Sequence, residues 1–390
     1  MNQKDPEPRV LFYVQHLLGI GHLMRAGRIA EGLAQNGMSV TLVSGGLPVT
    51  GFDPAGVQQF NLPPIAVGKD NFGELVDGHG QVLDEAYRQR RCEMLLQIFH
   101  DTEPDCVMLE AFPFGRRQVR FELLPLIEAI ESRPDRPLLV TSVRDILQRR
   151  TKPGRDEESA RLIKQHFDRV LVHGDPHFAT LDDSFSCAAS IAEKISYTGL
   201  VCAPVPEPSK QRFDIVVSAG GGAVGDKLVT SAIDAAARLP ENLSWCVITG
   251  PNLPDDTYAA MASRASSNVT LERFRSDFPS LLCSAGVSVS QAGYNTMGDI
   301  LQAACRSILV PYSVGGETEQ ADRAARLQHL GLAEVLDEEQ LSGESLAALL
   351  GQVLSADCLS AAPLPRLDTQ GAVHTAEILQ ALVRESQVSR

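Results

Sequence analysis

The sequence predicts an α/β fold made of two doubly wound domains, each with a parallel sheet covered by helices on both faces. The first observation is that residues 10–43 follow the order strand, glycine-rich turn, helix, strand. The second is that this order restarts at residue 214, after the segment 203–214 with its three prolines. The third is length, since 390 residues exceed what one hydrophobic core usually organises. We therefore expect two Rossmann-like domains.

The first half of the chain contains a complete β-α-β unit. Residues 10–14, VLFYV, are a continuous apolar run typical of a strand buried on both faces. Apolar residues then recur at helical spacing from Leu23, and Asn36-Gly37 is a typical helix end. The next strand is VTLV, and a right-handed crossover joins the two. Further strands are expected at residues 105–109, 137–143 and 169–174.

The second half repeats this order. Residues 214–218 predict a strand, 219–225 a glycine-rich turn and 227–239 a helix. The runs WCVITG, VTLERF, VSVSQAG and SILVPY predict strands, with helices near 295–305 and 319–330. We expect an N-terminal domain over 1–207, a second domain over 208–370, and a C-terminal helix over 371–390 that packs back on the first. Ligands of such sheets bind beyond the carboxyl ends of the strands, so the two domains should face across a shared cleft.

Composition limits the possible partners and location. A net charge of −14 disfavours broad attraction to nucleic acid, and 44% hydrophobic with 22% charged residues is typical of a globular protein. The eight cysteines include no C-x-x-C pair, which disfavours a zinc site and a disulfide framework. The polar N-terminus and the short apolar run after it do not resemble a signal peptide. We expect a cytoplasmic protein without nucleic acid or metal.

Three segments of the second half could hold a phosphorylated ligand. The turn 218–225 follows a strand and opens a helix, where free N–H groups favour an anion, but it lacks the Lys-Ser/Thr of a P-loop. In the segment 290–301, Thr296 and Asp299 have the spacing of a capping box, and Asp299 could equally bind a ribose diol. Glu319 and Gln320 fall in the first turn of a predicted helix, where they could favour the helix dipole or hold sugar hydroxyls.

The first half offers two candidate proton acceptors. His22 follows Gly19 and Gly21 and begins a helix, whose dipole disfavours imidazolium and so favours a neutral, proton-accepting ring. The alternative is that His22 only caps this helix. Glu110 follows the strand at 105–109 and could be the base or could bind an acceptor.

Three arginines are candidates for the acceptor side. Arg116 and Arg117 lie soon after Glu110 and could attract an anionic acceptor, although a solvated surface explains them equally well. Arg144 lies at the end of another predicted strand. His16, which precedes the glycine turn, is interpreted as structural.

The segment from Val287 to Leu332, VSVSQAGYNTMGDILQAACRSILVPY followed by ETEQADRAARLQHLGL, resembles the donor-binding domain of GT-B glycosyltransferases of family 28. The turn from Gly19 to His22 is similar to the first glycine-rich loop of that family, which includes the lipid II-forming N-acetylglucosaminyltransferase of peptidoglycan synthesis. The resemblance implies that the second domain holds a nucleotide sugar, usually uridine-linked. It places the ribose near Asp299, the donor sugar near Glu319 and Gln320, and the base near Phe274 and Arg275. Gly293 is a further donor-binding residue, and the residues near the diphosphate are Gly221, Gly222, Ala223, Asn295 and Thr296.

We therefore expect an inverting, metal-independent glycosyltransferase whose only cofactor-like ligand is its nucleotide-sugar co-substrate, UDP-linked. Its acceptor is unidentified, and an anionic or membrane-associated acceptor at the inner face of the membrane fits the resemblance. The alternatives are a GT-B nucleotide-sugar 2-epimerase and a non-catalytic nucleotide-sugar-binding protein. A dinucleotide oxidoreductase is disfavoured because Met24 stands where the third glycine of its fingerprint is needed.

Overall fold

In a computed structural model the chain divides into two compact units, Met1–Val201 with Leu367–Arg390, and Cys202–Arg366. The structure describes residues 7–17, 19–68, 74–150, 152–220, 225–250, 253–313, 316–355 and 366–388. Both divisions lie a few residues before the expected ones at 207 and 370. The reason is local pairing, since Val201 forms a β-bridge with Gln370 and the Leu200 N–H donates to the Asp368 carbonyl at 2.7 Å.

The strands of the first unit form a seven-stranded parallel sheet and a short hairpin, and those of the second form a six-stranded parallel sheet. They are β1 Arg9–Val14, β2 Ser39–Ser44, β3 Val57–Asn61, β4 Ala66–Val67, β5 Leu75–Val76, β6 Cys106–Glu110, β7 Leu138–Arg144, β8 Arg169–His173, β9 Ile195–Tyr197, β10 Ile215–Ser218, β11 Trp245–Ile248, β12 Val269–Glu272, β13 Val287–Ser290, β14 Ser307–Leu309 and β15 Glu334–Val335. The strand orders are β3-β2-β1-β6-β7-β8-β9 and β12-β11-β10-β13-β14-β15.

The described α-helices connect these strands. They are α1 Gly21–Gln35, α2 Glu85–Thr102, α3 Arg120–Glu131, α4 Arg155–His166, α5 Asp226–Ala236, α6 Asp255–Arg264, α7 Phe278–Ser284, α8 Tyr294–Ala303, α9 Glu319–His329, α10 Gly343–Ser355 and α11 Gly371–Val388. None of these helices is both long and apolar enough to span a bilayer. The prediction of an α/β fold with two doubly wound parallel sheets is confirmed.

Continuous apolar runs explain the central strands. The side chains of β6 are all buried, as expected for a strand covered on both faces. By contrast, β3 has the sequence VQQFN and is only half-buried, which is why its weak apolar pattern gave no strand prediction. The sheet order changes direction between β1 and β6, and in doubly wound sheets such a switch point marks the ligand site.

Helix α11 belongs to the first unit and packs against α1. A Cβ on Gly32 would lie 2.7 Å from the Cβ of Ala372, so only glycine permits this approach of the two helices. The contact fixes α1, whose buried face includes Leu23, Ile29 and Leu33. Because α1 begins at Gly21, its packing also fixes the backbone that carries His22.

Candidate active site

A buried polar cluster lies at the carboxyl ends of neighbouring strands of the first unit. Glu110 is the last residue of β6 and is fully buried. One carboxylate oxygen, Oε1, accepts from the Arg25 guanidinium and lies 2.9 Å from Nδ1 of His22. The other, Oε2, accepts from the Ser142 hydroxyl at 2.6 Å. The carboxylate thus has partners from α1 and β7, which hold it from opposite ends.

His22 connects this cluster to solvent. Because an ionised carboxylate can only accept hydrogen bonds, the Nδ1 atom that faces Glu110 must carry the proton of a neutral imidazole. The lone pair then resides on Nε2, which has no hydrogen-bond partner among the described residues. The side chain of His22 is 21% exposed, whereas that of Glu110 is 0% exposed. An incoming hydroxyl could therefore reach His22 but not Glu110.

The electrostatic environment sets the protonation states of this pair. Burial, reinforced by the positive charge of Arg116, lowers the pKa of His22 to about 3 despite its bond to Glu110. Burial alone would raise the pKa of Glu110, but the Arg25 guanidinium and the hydrogen bonds from His22 and Ser142 hold that pKa well below its usual range. At neutral pH the pair is a neutral imidazole beside an ionised carboxylate.

Two further groups extend the cluster away from His22. The Ser142 hydroxyl oxygen lies 2.8 Å from Nε2 of His173, and Nδ1 of His173 lies 2.8 Å from the Thr198 hydroxyl. All three residues are fully buried. Sequence reasoning did not identify Arg25, Ser142 or His173 as site residues. The available signals were the three-residue spacing from His22 to Arg25 and the polar residues at the ends of the apolar strands β7 and β8.

The structure separates the two arginines that were expected together. Arg117 forms an ion pair with Glu158, whose other carboxylate oxygen lies 2.5 Å from Arg120. The side chain of Arg116 has no ion pair or hydrogen bond among the described residues, and its backbone is left-handed with φ of 59°. Burial lowers its pKa to about 10; Glu110 opposes this shift and Arg144 adds to it. Arg116 is therefore a half-buried cation whose charge no direct contact neutralises.

His16 and the glycine turn follow β1, at the carboxyl end of the first sheet. Gly21 is the first residue of α1, and a Cβ on Gly19 would meet no atom within 4 Å, so space rather than crowding surrounds it. His16 is buried, and its Nε2 lies 2.9 Å from the Leu47 carbonyl. Gly46 packs against the imidazole of His16 so closely that a Cβ there would lie 2.3 Å from the ring.

In the second unit, part of the predicted donor site falls at the start of α8. Gly221, Gly222 and Ala223 lie outside the described residues. Gly293 is the N-cap of α8, and no side chain caps this helix end. The capping-box alternative for Thr296 and Asp299 is therefore wrong, because the helix begins two residues before Thr296.

The described positions agree with a site at the N-terminus of α8. Asn295 and Thr296 occupy its first turn, and Asp299 is buried one turn further along. Helix capping therefore does not explain the buried carboxylate of Asp299.

Glu319 and Gln320 have different surroundings although they are adjacent at the start of α9. Glu319 is buried, and its Oε1 accepts from Nη2 of Arg323 at 2.7 Å. Arg323 also donates to the Ala292 carbonyl at 2.9 Å, so this ion pair ties α9 to the segment before α8. The Oε1 atom of Gln320 accepts from the Tyr312 N–H at 3.1 Å, which leaves its amide N–H groups for a ligand.

Of the two residues expected beside the nucleotide base, Phe274 is exposed and Arg275 is held by hydrogen bonds. Phe274 is 64% exposed. Arg275 donates to both carboxylate oxygens of Asp277, at 2.8 and 2.9 Å, and to Gln211 at 2.8 Å. Among the described residues, no group of three or more His, Cys, Asp or Glu side chains is arranged to hold a metal ion.

The topology and these strand-end sites define the class, which is the two-domain GT-B fold. Residues 215–366, which make up most of the second unit, match the model of the glycosyltransferase family 28 C-terminal domain. The crystal structure of Acinetobacter baumannii MurG is similar with a TM-score of 0.60 at 13% identity and covers 96% of this chain and 100% of that one. The calicheamicin glycosyltransferase CalG4 gives a TM-score of 0.59 at 17% identity, with 97% and 95% covered.

The sequence of this chain is also similar to those of named transferases. The chain is 30% identical over 223 residues to the UDP-N-acetylglucosamine–N-acetylmuramyl-(pentapeptide) pyrophosphoryl-undecaprenol N-acetylglucosamine transferase of Agrobacterium fabrum. The match covers 56% of this chain and 54% of that protein. The transferase of the same name from a Janthinobacterium species is 27% identical over 188 residues, 47% of this chain and 52% of that protein. The chain thus spans about half the length of these relatives.

Proposed function

We propose that the protein is an inverting glycosyltransferase that moves a sugar from a nucleotide diphosphate donor to an acceptor hydroxyl. The observation that carries this proposal is the contact between His22 and Glu110, which leaves a neutral, partly exposed imidazole with its lone pair on Nε2. The family 28 match of the second unit supports a nucleotide-sugar donor.

In the proposed step, the acceptor oxygen attacks the anomeric carbon of the donor sugar. The new bond joins that carbon to the acceptor oxygen, and the bond from the same carbon to the diphosphate oxygen breaks. The hydroxyl proton passes to Nε2 of His22, and the bonding pair leaves with the nucleoside diphosphate. Direct displacement inverts the anomeric centre and needs no covalent intermediate on the protein.

Glu110 acts through His22 in this proposal rather than as the base itself. It is fully buried and already accepts from three side chains, so an incoming hydroxyl does not reach it. Its negative charge stabilises the imidazolium that forms when His22 takes the proton, and its contact with Nδ1 keeps Nε2 available. For these reasons we propose His22, rather than Glu110, as the base.

For the donor, we propose a UDP-linked sugar. The names of the relatives state UDP-N-acetylglucosamine, and the family 28 model covers the segment with Asp299 and Gln320. Asp299 would bind the ribose and Gln320 the sugar, while the N-terminus of α8 would face the diphosphate. We propose that no metal is required, so that excess chelator leaves the rate unchanged.

For the acceptor, we propose a molecule with an anionic group close to the attacked hydroxyl. Arg116 supports this, because its half-buried charge lies near enough to His22 to lower the pKa of that histidine and has no direct partner among the described residues. The names of the relatives state a pyrophosphoryl-undecaprenol acceptor. A lipid-linked acceptor would place the protein in the cytoplasm, at the inner face of the membrane.

The test is a panel of nucleotide sugars and nicotinamide cofactors added to the full-length protein. Thermal shift measures binding, and nucleotide release with and without a lipid extract measures turnover. The proposal expects stabilisation by UDP-sugars and extract-dependent release of UDP. Stabilisation by nicotinamide cofactors alone would contradict it, and conversion of the sugar to its 2-epimer without acceptor would indicate the epimerase instead.

A further inference from the structure

We infer that Ser142, His173 and Thr198 are positioning residues for the base, because they form a buried relay that fixes the Glu110 carboxylate and through it the ring of His22. The inference rests on the proposed role of His22. The relay is defined as Thr198, His173, Ser142 and Glu110, joined by contacts of 2.8, 2.8 and 2.6 Å.

Every proton in the relay can be assigned by starting from the Glu110 carboxylate. The Glu110 carboxylate can only accept, so the Ser142 hydroxyl donates to it. The Ser142 oxygen is then an acceptor for His173, whose Nε2 must carry a proton. Burial lowers the pKa of His173 to about 3, so the ring is neutral and its Nδ1 is bare. That atom accepts from the Thr198 hydroxyl at 2.8 Å, a shorter contact than the 3.0 Å between the same hydroxyl and the Gly199 carbonyl.

Because of this series of hydrogen bonds, the orientation of the Glu110 carboxylate depends on residues that do not contact His22. With Oε1 between Arg25 and His22, only the Ser142 hydroxyl holds Oε2 among the described residues. If that hydroxyl is lost, the carboxylate is free to rotate toward the Arg25 charge. His22 then loses its fixed acceptor, and its proton can distribute between the two ring nitrogens. A bare Nε2 is the form that the reaction needs.

The placement of the relay argues for this role over a purely structural one. Its members are the last residues of β6 and β8, a residue within β7 and the residue just after β9, and each is 0% exposed. Apolar residues of similar volume would fill these positions without the cost of burying polar groups. Four polar groups that end on one carboxylate are instead explained by the need to hold it.

The test compares two replacements of the same histidine. Gln can place an amide N–H near the position of Nε2 and keep the donation to Ser142, whereas Asn is shorter and cannot reach it. Ser142→Ala and Thr198→Val remove the two hydroxyls, the second with almost no change in shape. Tyr13→Phe is the matched control, since it removes a buried hydroxyl that bonds the carboxylate of Glu122 outside the relay.

The primary readout needs no substrate. Imidazole nitrogen chemical shifts of the full-length protein, labelled at histidine and assigned with His22→Gln, report which ring nitrogen carries the proton. We expect a proton on Nδ1 of His22 in the wild type, Tyr13→Phe and His173→Gln. A mixture of the two forms is expected in Ser142→Ala, His173→Asn and Thr198→Val, with kcat reduced on the order of 100-fold and the donor KM unchanged.

The outcomes separate this inference from the proposed function. Unchanged His22 shifts in folded Ser142→Ala and His173→Asn proteins would overturn the relay, and if Ser142→Ala fails to fold, His173→Asn and Thr198→Val decide. Equal behaviour of His173→Asn and His173→Gln would also overturn it. Altered shifts together with normal transfer by His22→Ala would leave the relay standing and remove the proposed function.

Discussion

Nδ1 of His22 lies 2.9 Å from Oε1 of Glu110, so the half-buried ring at the start of helix α1 is bound to a carboxylate at the end of strand β6. These residues are 88 positions apart in the sequence, and the parallel sheet brings them together. In the proposed function, this contact makes His22 the base and Glu110 the group that orients it.

Glu110→Gln should therefore abolish most of the activity although Gln has the same shape. An amide cannot stabilise imidazolium as a carboxylate does, and it can donate to Nδ1, which would shift the proton of His22 to Nε2. We expect kcat to fall on the order of 10^3- to 10^4-fold, by analogy with the loss of the orienting carboxylate in catalytic triads. Steady-state kinetics with saturating donor measures the effect.

The matched control is Glu122→Gln. Glu122 is also fully buried and pairs with a buried arginine, Arg91, at 2.7 Å. Each substitution removes a carboxylate that pairs with a buried arginine and should cost about 3–5 kcal/mol of unfolding free energy. Only Glu110→Gln should remove turnover in the fraction that remains folded. Equal losses of kcat in the two variants would show that Glu110 acts through stability alone.

Arg116→Gln should weaken binding of the acceptor, whereas Arg117→Gln should not. The charge of Arg116 has no direct partner among the described residues, while Arg117 is paired with Glu158. Loss of one charge-assisted hydrogen bond of about 1.5–3 kcal/mol corresponds to roughly a 10- to 150-fold rise in acceptor KM. Kinetics with the active lipid extract, titrated at fixed donor, provides the comparison. Identical acceptor curves for the two variants would refute the anionic subsite.

The pH dependence of kcat/KM should have no inflection near the ordinary histidine pKa of about 6.5. The folded pKa of His22 is lowered to about 3, so the neutral, proton-accepting form persists as the pH falls. Activity that depends on this form is lost only as the pH approaches the folded pKa, which gives a flat profile between about pH 5 and 7. Rates measured in buffers of constant ionic strength test this, and a decline centred near 6.5 would contradict a buried neutral base.

Substitutions of Glu319 and Gln320, adjacent residues of α9, should have different effects. The first should lower stability and the second should weaken donor binding. Glu319→Gln removes a carboxylate that pairs with the buried Arg323, so we expect a loss of about 3–5 kcal/mol in unfolding free energy. Gln320→Ala removes amide N–H groups that a sugar could use, so it should raise the donor KM with little change in stability. Urea unfolding and UDP-sugar titration of both variants measure the two effects. A destabilised Gln320→Ala protein with normal donor binding would reverse these assignments.

Much of the fold was predictable because its central strands are continuous apolar runs. β1, β6, β7 and β8 begin and end within one residue of the predicted segments, and the restart at residue 214 marked the second sheet. The half-buried strand β3 and the two-residue strands were not predictable, since neither has a periodic pattern long enough to identify.

The site was predictable only in part. His22 and Glu110 each had a local signal, a glycine turn and a strand end, but their contact depends on the order of strands in the sheet. The same limit applies to Arg116 and Arg117, whose surroundings differ because Glu158 of α4 reaches one and not the other. The relay escaped prediction because Ser142 and His173 sit inside apolar strands, where their partners come from other strands.

The central claim is that Nε2 of His22 accepts the proton of the acceptor hydroxyl. The most direct measurement is the kcat of His22→Ala for UDP release, beside His177→Ala, a histidine of the same unit whose side chain is 91% exposed. The proposed function predicts a loss of about 10^2- to 10^4-fold for His22→Ala with unchanged affinity for the donor, and no loss for His177→Ala. A His22→Ala enzyme that turns over at the wild-type rate would contradict it.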